Sequence, residues 1–478
     1  MIRVYLDTNV FSYLKNSTDH AIQNFHASLK KYKSTLLYCY SHGHLLDFKQ
    51  DKSDKKFADL DFIETLADDN YISYNGMDKY TSCYLAKPRE AFEGLGEDTK
   101  IDFKSIFDLD TSILPIEQQE QFANAKNLLF NQEFDLGFMA ANSMPEDAKQ
   151  ALSKFLPVTK SKFTFLELTE QFMQLYDVMN EDKTAYKDLR NYLDKNLNNG
   201  KFVVDDNNNT DFNDDLKNSM LKKTFVEFVN NTLNPDGKKQ VTDYDFHVQA
   251  YTSLDLLGIS KDPSRKARFR NIFNDGMHSY YGAFCDYVVS NDDDFIKKTK
   301  ALYKLIDLKT EVVSLNEFIK SIDIIANIEE KDLTTFIQVL KVDISKGIVL
   351  GSKPSLRYNR HTTTIKPFHL YLSYFNKMEH MSEPNFDYIV FTNQRHNYSN
   401  FVFYKEFEAV TNKAAKLFGD DLNFKGQFNY ENEKKEIHDN TWQGRHWRIG
   451  EIDIALEINE GTKKFNLVLV IPKSKHTS

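Results

Sequence analysis

The sequence is poor in cysteine, has no surplus of positive charge and contains no long hydrophobic run. Its three cysteines, Cys39, Cys83 and Cys285, are odd in number and widely spaced, and none forms a Cys-x-x-Cys pair. That excludes a disulfide framework and a zinc knuckle and leads us to expect a reducing compartment. The formal net charge is −9, so no global basic field announces a nucleic-acid binder, and any such surface must be local. No window approaches the roughly 20 apolar residues of a spanning helix, so no membrane association is expected. The opening Met1-Ile2-Arg3-Val4-Tyr5-Leu6 lacks a basic stretch leading into a long apolar one, so a cytoplasmic location is expected rather than export. No internal repeat is present.

What is there is a globular composition. The chain has 478 residues, 41% hydrophobic, 14% aromatic and 27% charged. That length exceeds one compact core and points to two or three domains. Ile2–Leu6 reads as a buried strand, with a helix starting above it near Asn9. Thr35–Tyr40 is a second strand without alternation, as expected when both faces are covered. Ser41 is a good N-cap for the helix that follows, and Tyr71–Tyr74 is a third short strand. This βαβαβ opening predicts a parallel α/β sheet. Strand signals then stop. Helices are expected over 117–131, 146–155, 163–179, 184–196 and 214–233. A helix over 243–257 ends at Gly258, and another runs through Asp275. Strands return at 287–290 and 311–314. Beyond about Ala326 the chain becomes strand-rich, with one good helix over 405–418. The expected domains are therefore a discontinuous α/β body (1–76 and 242–325), a helical insertion (77–241) and a C-terminal α+β domain (326–478). A chain ending near Ala326 is expected to fold and keep its chemistry.

Four acids fall at strand ends or on helices leading into the sheet: Asp7, Asp47, Asp275 and Asp292, with Asp294 close by. Parallel strands bring such positions to one edge. Carboxylates gathered around Mg²⁺ or Mn²⁺ are what in-line phosphodiester hydrolysis requires. The motifs Leu6-Asp7-Thr8-Asn9 and Ser290-Asn291-Asp292-Asp293-Asp294-Phe295, with Asp47 after strand two and Asp275 on a later helix, resemble those of PIN-domain nucleases. The resemblance covers roughly 1–76 and 242–322. It implies a PIN-like parallel sheet flanked by helices, a Mg²⁺ or Mn²⁺ cofactor and endoribonuclease activity on single-stranded or structured RNA, with DNA left open. It implies Asp7, Asp47, Asp275 and Asp292 as catalytic metal ligands and Asp294 as an alternative or supporting acid. Thr8, Asn9, Ser290 and Asn291 would orient them or touch phosphate. Two features depart from the family: the second acid is Asp rather than the commoner Glu, and the insertion is far larger than in a minimal PIN domain.

His44 and His278 each lie three residues from a candidate acid, where a histidine can hydrogen-bond a ligating carboxylate; a packed, buried histidine is the competing reading. Arg265, Lys266, Arg268 and Arg270 form the densest basic run near the motif and would hold a phosphate backbone. A solvated helix face is the commoner origin of such a run. Lys297, Lys298, Lys300 and Lys304 would extend the same strip. The segment Thr441-Trp442-Gln443-Gly444-Arg445-His446-Trp447-Arg448 holds both tryptophans; interleaved aromatics and arginines can stack on bases, but a hairpin core under cation–π cover is the favoured reading. The leading expectation is a metal-dependent endoribonuclease. A nuclease toxin or phage-defence effector controlled by a regulatory partner or by self-association, and a catalytically inert PIN-like scaffold, remain open alternatives.

Overall fold

Asp7 stands at the carboxyl end of a strand with no exposed position. Ile2–Leu6 (β1) is buried at every residue, and so is Leu36–Ser41 (β2). Asn70–Asn75 (β3), Tyr80–Leu85 (β4), Tyr287–Ser290 (β7) and Glu311–Ser314 (β8) complete the sheet, in the order β4-β3-β2-β1-β7-β8. β3, β2, β1, β7 and β8 run parallel, while β4 pairs antiparallel with β3. The protein is thus α/β, with a mixed sheet flanked by helices. β4 was expected inside the helical insertion. Its tyrosines and Thr81-Ser82-Cys83 instead pair with β3 and close the edge of the sheet.

The structure, a computed structural model, describes residues 1–96, 112, 115–135, 162–164, 167, 178–179, 182, 184–204, 210–261, 268–326, 332–355, 360–395, 397–399, 402–439, 441–459 and 464–473. The chain divides into two compact units, Met1–Phe92 with His278–Ser478, and Glu93–Met277. Among the described residues no helix is long and apolar enough to cross a membrane.

In the first unit the C-terminal region forms a seven-stranded antiparallel sheet. Its strands are Ile348–Ser355 (β9), Arg360–Lys366 (β10), Lys377–Ser382 (β11), Phe386–Thr392 (β12), Arg445–Ile449 (β13), Ile452–Ile458 (β14) and Phe465–Pro472 (β15), in the order β13-β14-β15-β12-β11-β10-β9. Phe403 is the N-cap of the helix Tyr404–Phe418. The two tryptophans are core, as a hairpin reading requires, because Trp447 is 1% exposed and β13 pairs with β14. The cover is ionic, however. Arg445 is buried against Asp421 at 2.6 Å and Glu433 at 2.5 Å.

This sheet is not a separate body because a buried ion network joins it to β1. The Arg3 guanidinium meets Glu406 through two bonds, Nε to Oε1 at 2.9 Å and Nη2 to Oε2 at 2.7 Å. Arg3 also donates to Ser399 Oγ and to the Phe284 carbonyl. Arg395 reaches Glu406 at 3.3 Å and Asp286 at 3.1 Å. Burial by itself would push the Glu406 carboxyl up. Arg3 and Arg395 overcome that and hold it at about 2.

Among its described residues the second unit is mainly helical, with Ile116–Asn131, Ala185–Leu193, Phe225–Leu233, Asp243–Leu256 and most of Phe269–Gly282. Thr242 caps the helix Asp243–Leu256 through a capping box with Asp245. Gly258, at φ +75°, takes the left-handed turn after that helix, as expected. Tyr186 and Arg190 both bond the buried Asp255, at 2.9 and 3.1 Å. Two expectations change. Phe163 lies in a two-stranded antiparallel sheet of Glu133–Asp135 (β5) and Lys162–Thr164 (β6). The helix expected over 214–233 breaks after Asn218 and restarts at the Thr224 cap. The helix expected over 146–155 lies outside the described residues.

Candidate functional site

β1, β2 and β7 end at one edge of the parallel sheet, and the Asp7-Thr8-Asn9 turn links what they carry. Asp7 is 8% exposed, and its backbone N–H donates to the Val289 carbonyl on β7. Its Oδ2 accepts from Ser290 Oγ at 2.7 Å and from Asn9 Nδ2 at 2.6 Å. Asn9 Oδ1 accepts the backbone N–H of Asn291 at 3.1 Å. Thr8 turns the other way and donates to Asp47 Oδ2 at 2.7 Å. Three consecutive side chains thus bind two segments that are far away in sequence.

Burial raises the Asp7 carboxyl above its ordinary range. Protonation of the His278 ring and the Ser290 hydrogen bond pull it down, and the negative charge of Asp47 pushes it up again. Asp7 and Asp47 therefore lie within electrostatic reach of one another.

Asp292 is half-buried beside this turn. Its backbone N–H donates to Ser290 Oγ at 3.1 Å, and its Oδ1 caps the helix Asp293–Leu305 by accepting from Asp294 N at 3.0 Å and Phe295 N at 3.3 Å. The cap fixes the carboxylate through one oxygen. Asp294 is half-buried in the first turn of that helix, and Asp293 is exposed. Asp275 falls in the second compact unit, half-buried and one helical turn before His278 on the helix Phe269–Gly282.

Both histidines are tied into the network. Asp47 can only accept, so His278 Nε2 donates to its Oδ2 at 2.9 Å, leaving Nδ1 of the neutral ring to accept the Tyr5 hydroxyl at 2.7 Å. Burial pushes the Tyr5 phenol well up, which keeps it a donor. Tyr5 Oη in turn lies 2.6 Å from Ser41 Oγ. His44 closes a capping box from the third helical position: the Ser41 N–H donates to its Nδ1 at 3.0 Å, so Nε2 carries the proton given to the Leu6 carbonyl at 2.8 Å. A proton-ordered chain thus runs from Ser41 through Tyr5 and His278 to Asp47.

Sequence reasoning missed Tyr5 and Gly43. Tyr5 is the central aromatic of a wholly buried strand and reads as core. A Cβ at Gly43 would lie 3.3 Å from the His278 ring, a tight approach that a larger residue would make only by shifting the ring. The signal was a glycine in the first turn of a helix, where it weakens the helix without an evident local gain.

Burial holds His44 at about 3, as it does His247 in the second unit. The unfolded chain takes up a proton at each below about pH 6.5, and the folded chain does not until near pH 3. Their stabilising contribution is full above pH 6.5 and falls with acidification by about 1.4 kcal/mol per pH unit for each histidine. Urea titrations at pH 7 and pH 5 are expected to show this loss, and His44→Gln should remove its share. A flat profile between those values would contradict the buried, neutral assignment.

The basic run is only partly visible. Arg268 is exposed and Arg270 half-buried, while Arg265 and Lys266 lie outside the described residues. The lysine strip is interrupted, because Lys298 is fully buried.

Mg²⁺ and Mn²⁺ take oxygen ligands, and Asp7, Asp47 and Asp292 supply carboxylate oxygens held in place by neutral hydrogen-bond donors. Ser290 and Asn9 both donate to Asp7 Oδ2, and Thr8 and His278 both donate to Asp47 Oδ2. The donor chemistry fits such an ion. Among the described residues no three Asp, Glu, His or Cys side chains form a ready ligand group. Compared with known protein families, curated proteins and solved structures, the chain matches none.

Proposed function

We propose that the protein is a metal-dependent endoribonuclease whose chemistry takes place at the carboxyl edge of the β1–β2–β7 sheet. The strongest support is the interlock made by Asp7-Thr8-Asn9, in which one turn orients its own carboxylate against Ser290 and a second carboxylate, Asp47, through Thr8. Hydrogen bonds of this kind are what hold ligating carboxylates in place. Asp7, Asp47 and Asp292 would hold Mg²⁺ or Mn²⁺. Asp275 joins this set only through the PIN resemblance. When bound, the ion would polarise a phosphodiester and favour ionisation of water.

The chain's own residues would do the rest. Ser290 and Asn9 keep Asp7 oriented. Thr8 and His278 do the same for Asp47, and Tyr5 fixes the His278 tautomer by donating to Nδ1. His278 thereby holds a proton at Nε2 against the Asp47 carboxylate.

Two measurements test the reading together. Mn²⁺ or Mg²⁺ is expected to raise the melting temperature, because an ion that binds only the folded chain stabilises it. Incubation with a mixed RNA pool should yield new ends only when the ion is present, and sequencing them gives the cleavage preference. Absence of both a thermal shift and metal-dependent ends would sink the proposal. A thermal shift without cleavage of RNA, but with cleavage of DNA, would move the substrate class instead.

A further inference from the structure

We propose a second ligand site, for a nucleoside monophosphate, at the amino edge of the same sheet, opposite Asp7. β1, β2 and β3 are parallel, so Met1, Leu36 and Asn70 mark an edge remote from Asp7, Ser41 and Asn75. At that edge lies a pocket of about 390 Å³, bounded by the strand starts and the helix Tyr404–Phe418. The volume is within the range of roughly 300–1,000 Å³ usual for small-molecule sites. Nothing in the proposed nuclease chemistry uses it, and the inference stands independently of that reading.

Its lining has the polarity of a nucleotide. Leu36, Leu37 and Leu66 give an apolar floor. Three lysines stand around it from separate positions, Lys33 before β2 and Lys405 and Lys413 on the helix. The acids in the lining are Asp68 and Glu408, so this wall is net positive on a chain whose formal charge is −9.

The acidic partners of Lys33 and Lys405 are themselves partly exposed. Lys33 pairs with Asp68 at 2.8 Å, with both side chains partly exposed, and Lys405 lies 3.8 Å from both Asp69 and Glu408. Lys413 donates to the Ser373 hydroxyl at 2.7 Å. Exposed ion pairs of this kind contribute little, so a doubly charged phosphate can draw the amines onto itself.

The inner wall carries an independent mark. Asn70 is 2% exposed and donates from Nδ2 to the Tyr38 carbonyl at 3.0 Å, yet its Oδ1 has no hydrogen-bond partner. A buried acceptor left unpaired is costly. A ring N–H or exocyclic amine of a base is the kind of donor that would satisfy it, with the base on the leucine floor and the phosphate among the lysines.

The test is calorimetric titration of the full chain, in EDTA, with AMP, GMP, CMP and UMP, alongside the matching nucleosides and inorganic phosphate. At least one monophosphate is expected to bind, about tenfold or more tighter than its nucleoside and than phosphate alone. Lys405→Glu and Lys413→Glu, both at partly exposed positions, should each weaken it by about tenfold, while Asp7→Asn leaves it unchanged. Circular dichroism checks that the variants fold. The proposal is overturned if no monophosphate binds at millimolar concentration or if phosphate alone binds as well. It is equally overturned if both folded lysine variants bind normally, or if Asp7→Asn abolishes binding and so places the ligand at the carboxyl edge.

Discussion

Asp7→Asn is expected to cut metal-dependent RNA cleavage by at least about a hundredfold, or roughly 2.7 kcal/mol of barrier, without harming the fold. Asn preserves the shape and an oxygen that can accept from Asn9 and Ser290, the two donors seen on Asp7 Oδ2. What it removes is the charge. Burial raises the Asp7 carboxyl above its ordinary range, so ionising it costs more in the folded chain than in the unfolded one. The sign follows: a group whose folded pKa is raised stabilises below its unfolded pKa and loses that contribution as pH rises through the folded value. At neutral pH the ionised carboxylate is therefore a burden in the metal-free protein, and Asn relieves it. The metal-free melting temperature should stay level or rise, while the shift produced by Mn²⁺ shrinks. Full activity in the variant would remove Asp7 from the chemistry. A large drop in metal-free melting temperature would mean that its role is to hold the strand ends together.

Glu406→Ala is expected to destabilise the first unit by about 3–5 kcal/mol, because it leaves the buried guanidinium groups of Arg3 and Arg395 without their shared carboxylate. The side chains of Arg3 and Glu406 are 1% and 0% exposed, so water cannot stand in for the lost partner. The pH profile supplies a second readout. With its folded value held down at about 2, Glu406 contributes fully above an unfolded pKa near 4.3, and the contribution is lost as pH falls from there through about 2. Urea denaturation of the two proteins at pH 7 measures the difference. A change below about 1 kcal/mol would show that the network is incidental. The same network predicts that a chain ending near Ala326 fails to fold. It would lose Arg395, Ser399, Phe403 and Glu406, all of which contact Arg3, Asp286 or Glu406 itself. This reverses the expectation from sequence that such a fragment is autonomous. A soluble, cooperatively melting fragment would restore it.

Much of the sheet was legible because its strands are buried on both faces. Ile2–Leu6, Leu36–Ser41 and Tyr287–Ser290 are short β-branched and aromatic runs that cannot alternate, and acids or hydroxyls stop them where the chain reaches the sheet edge. The order of the acids in the chain was also readable, since each follows a strand or sits on a helix leading to one. β4 was not readable, because Tyr80–Leu85 is half-exposed and its pairing with β3 depends on a turn that carries no apolar pattern.

Local pattern by itself determined the parallel strands, the Ser41 cap and the placing of Asp7 and Asp292 just past strand ends, because hydrophobic period and capping chemistry act over a few residues. Only the tertiary structure decided that Thr8 reaches Asp47, that Tyr5 and His278 complete the chain behind it, and that Arg3 is answered by Glu406, 403 positions away. The reason is physical. A buried polar side chain must find its partner wherever the fold brings one, and the residues between the two carry no trace of that pairing.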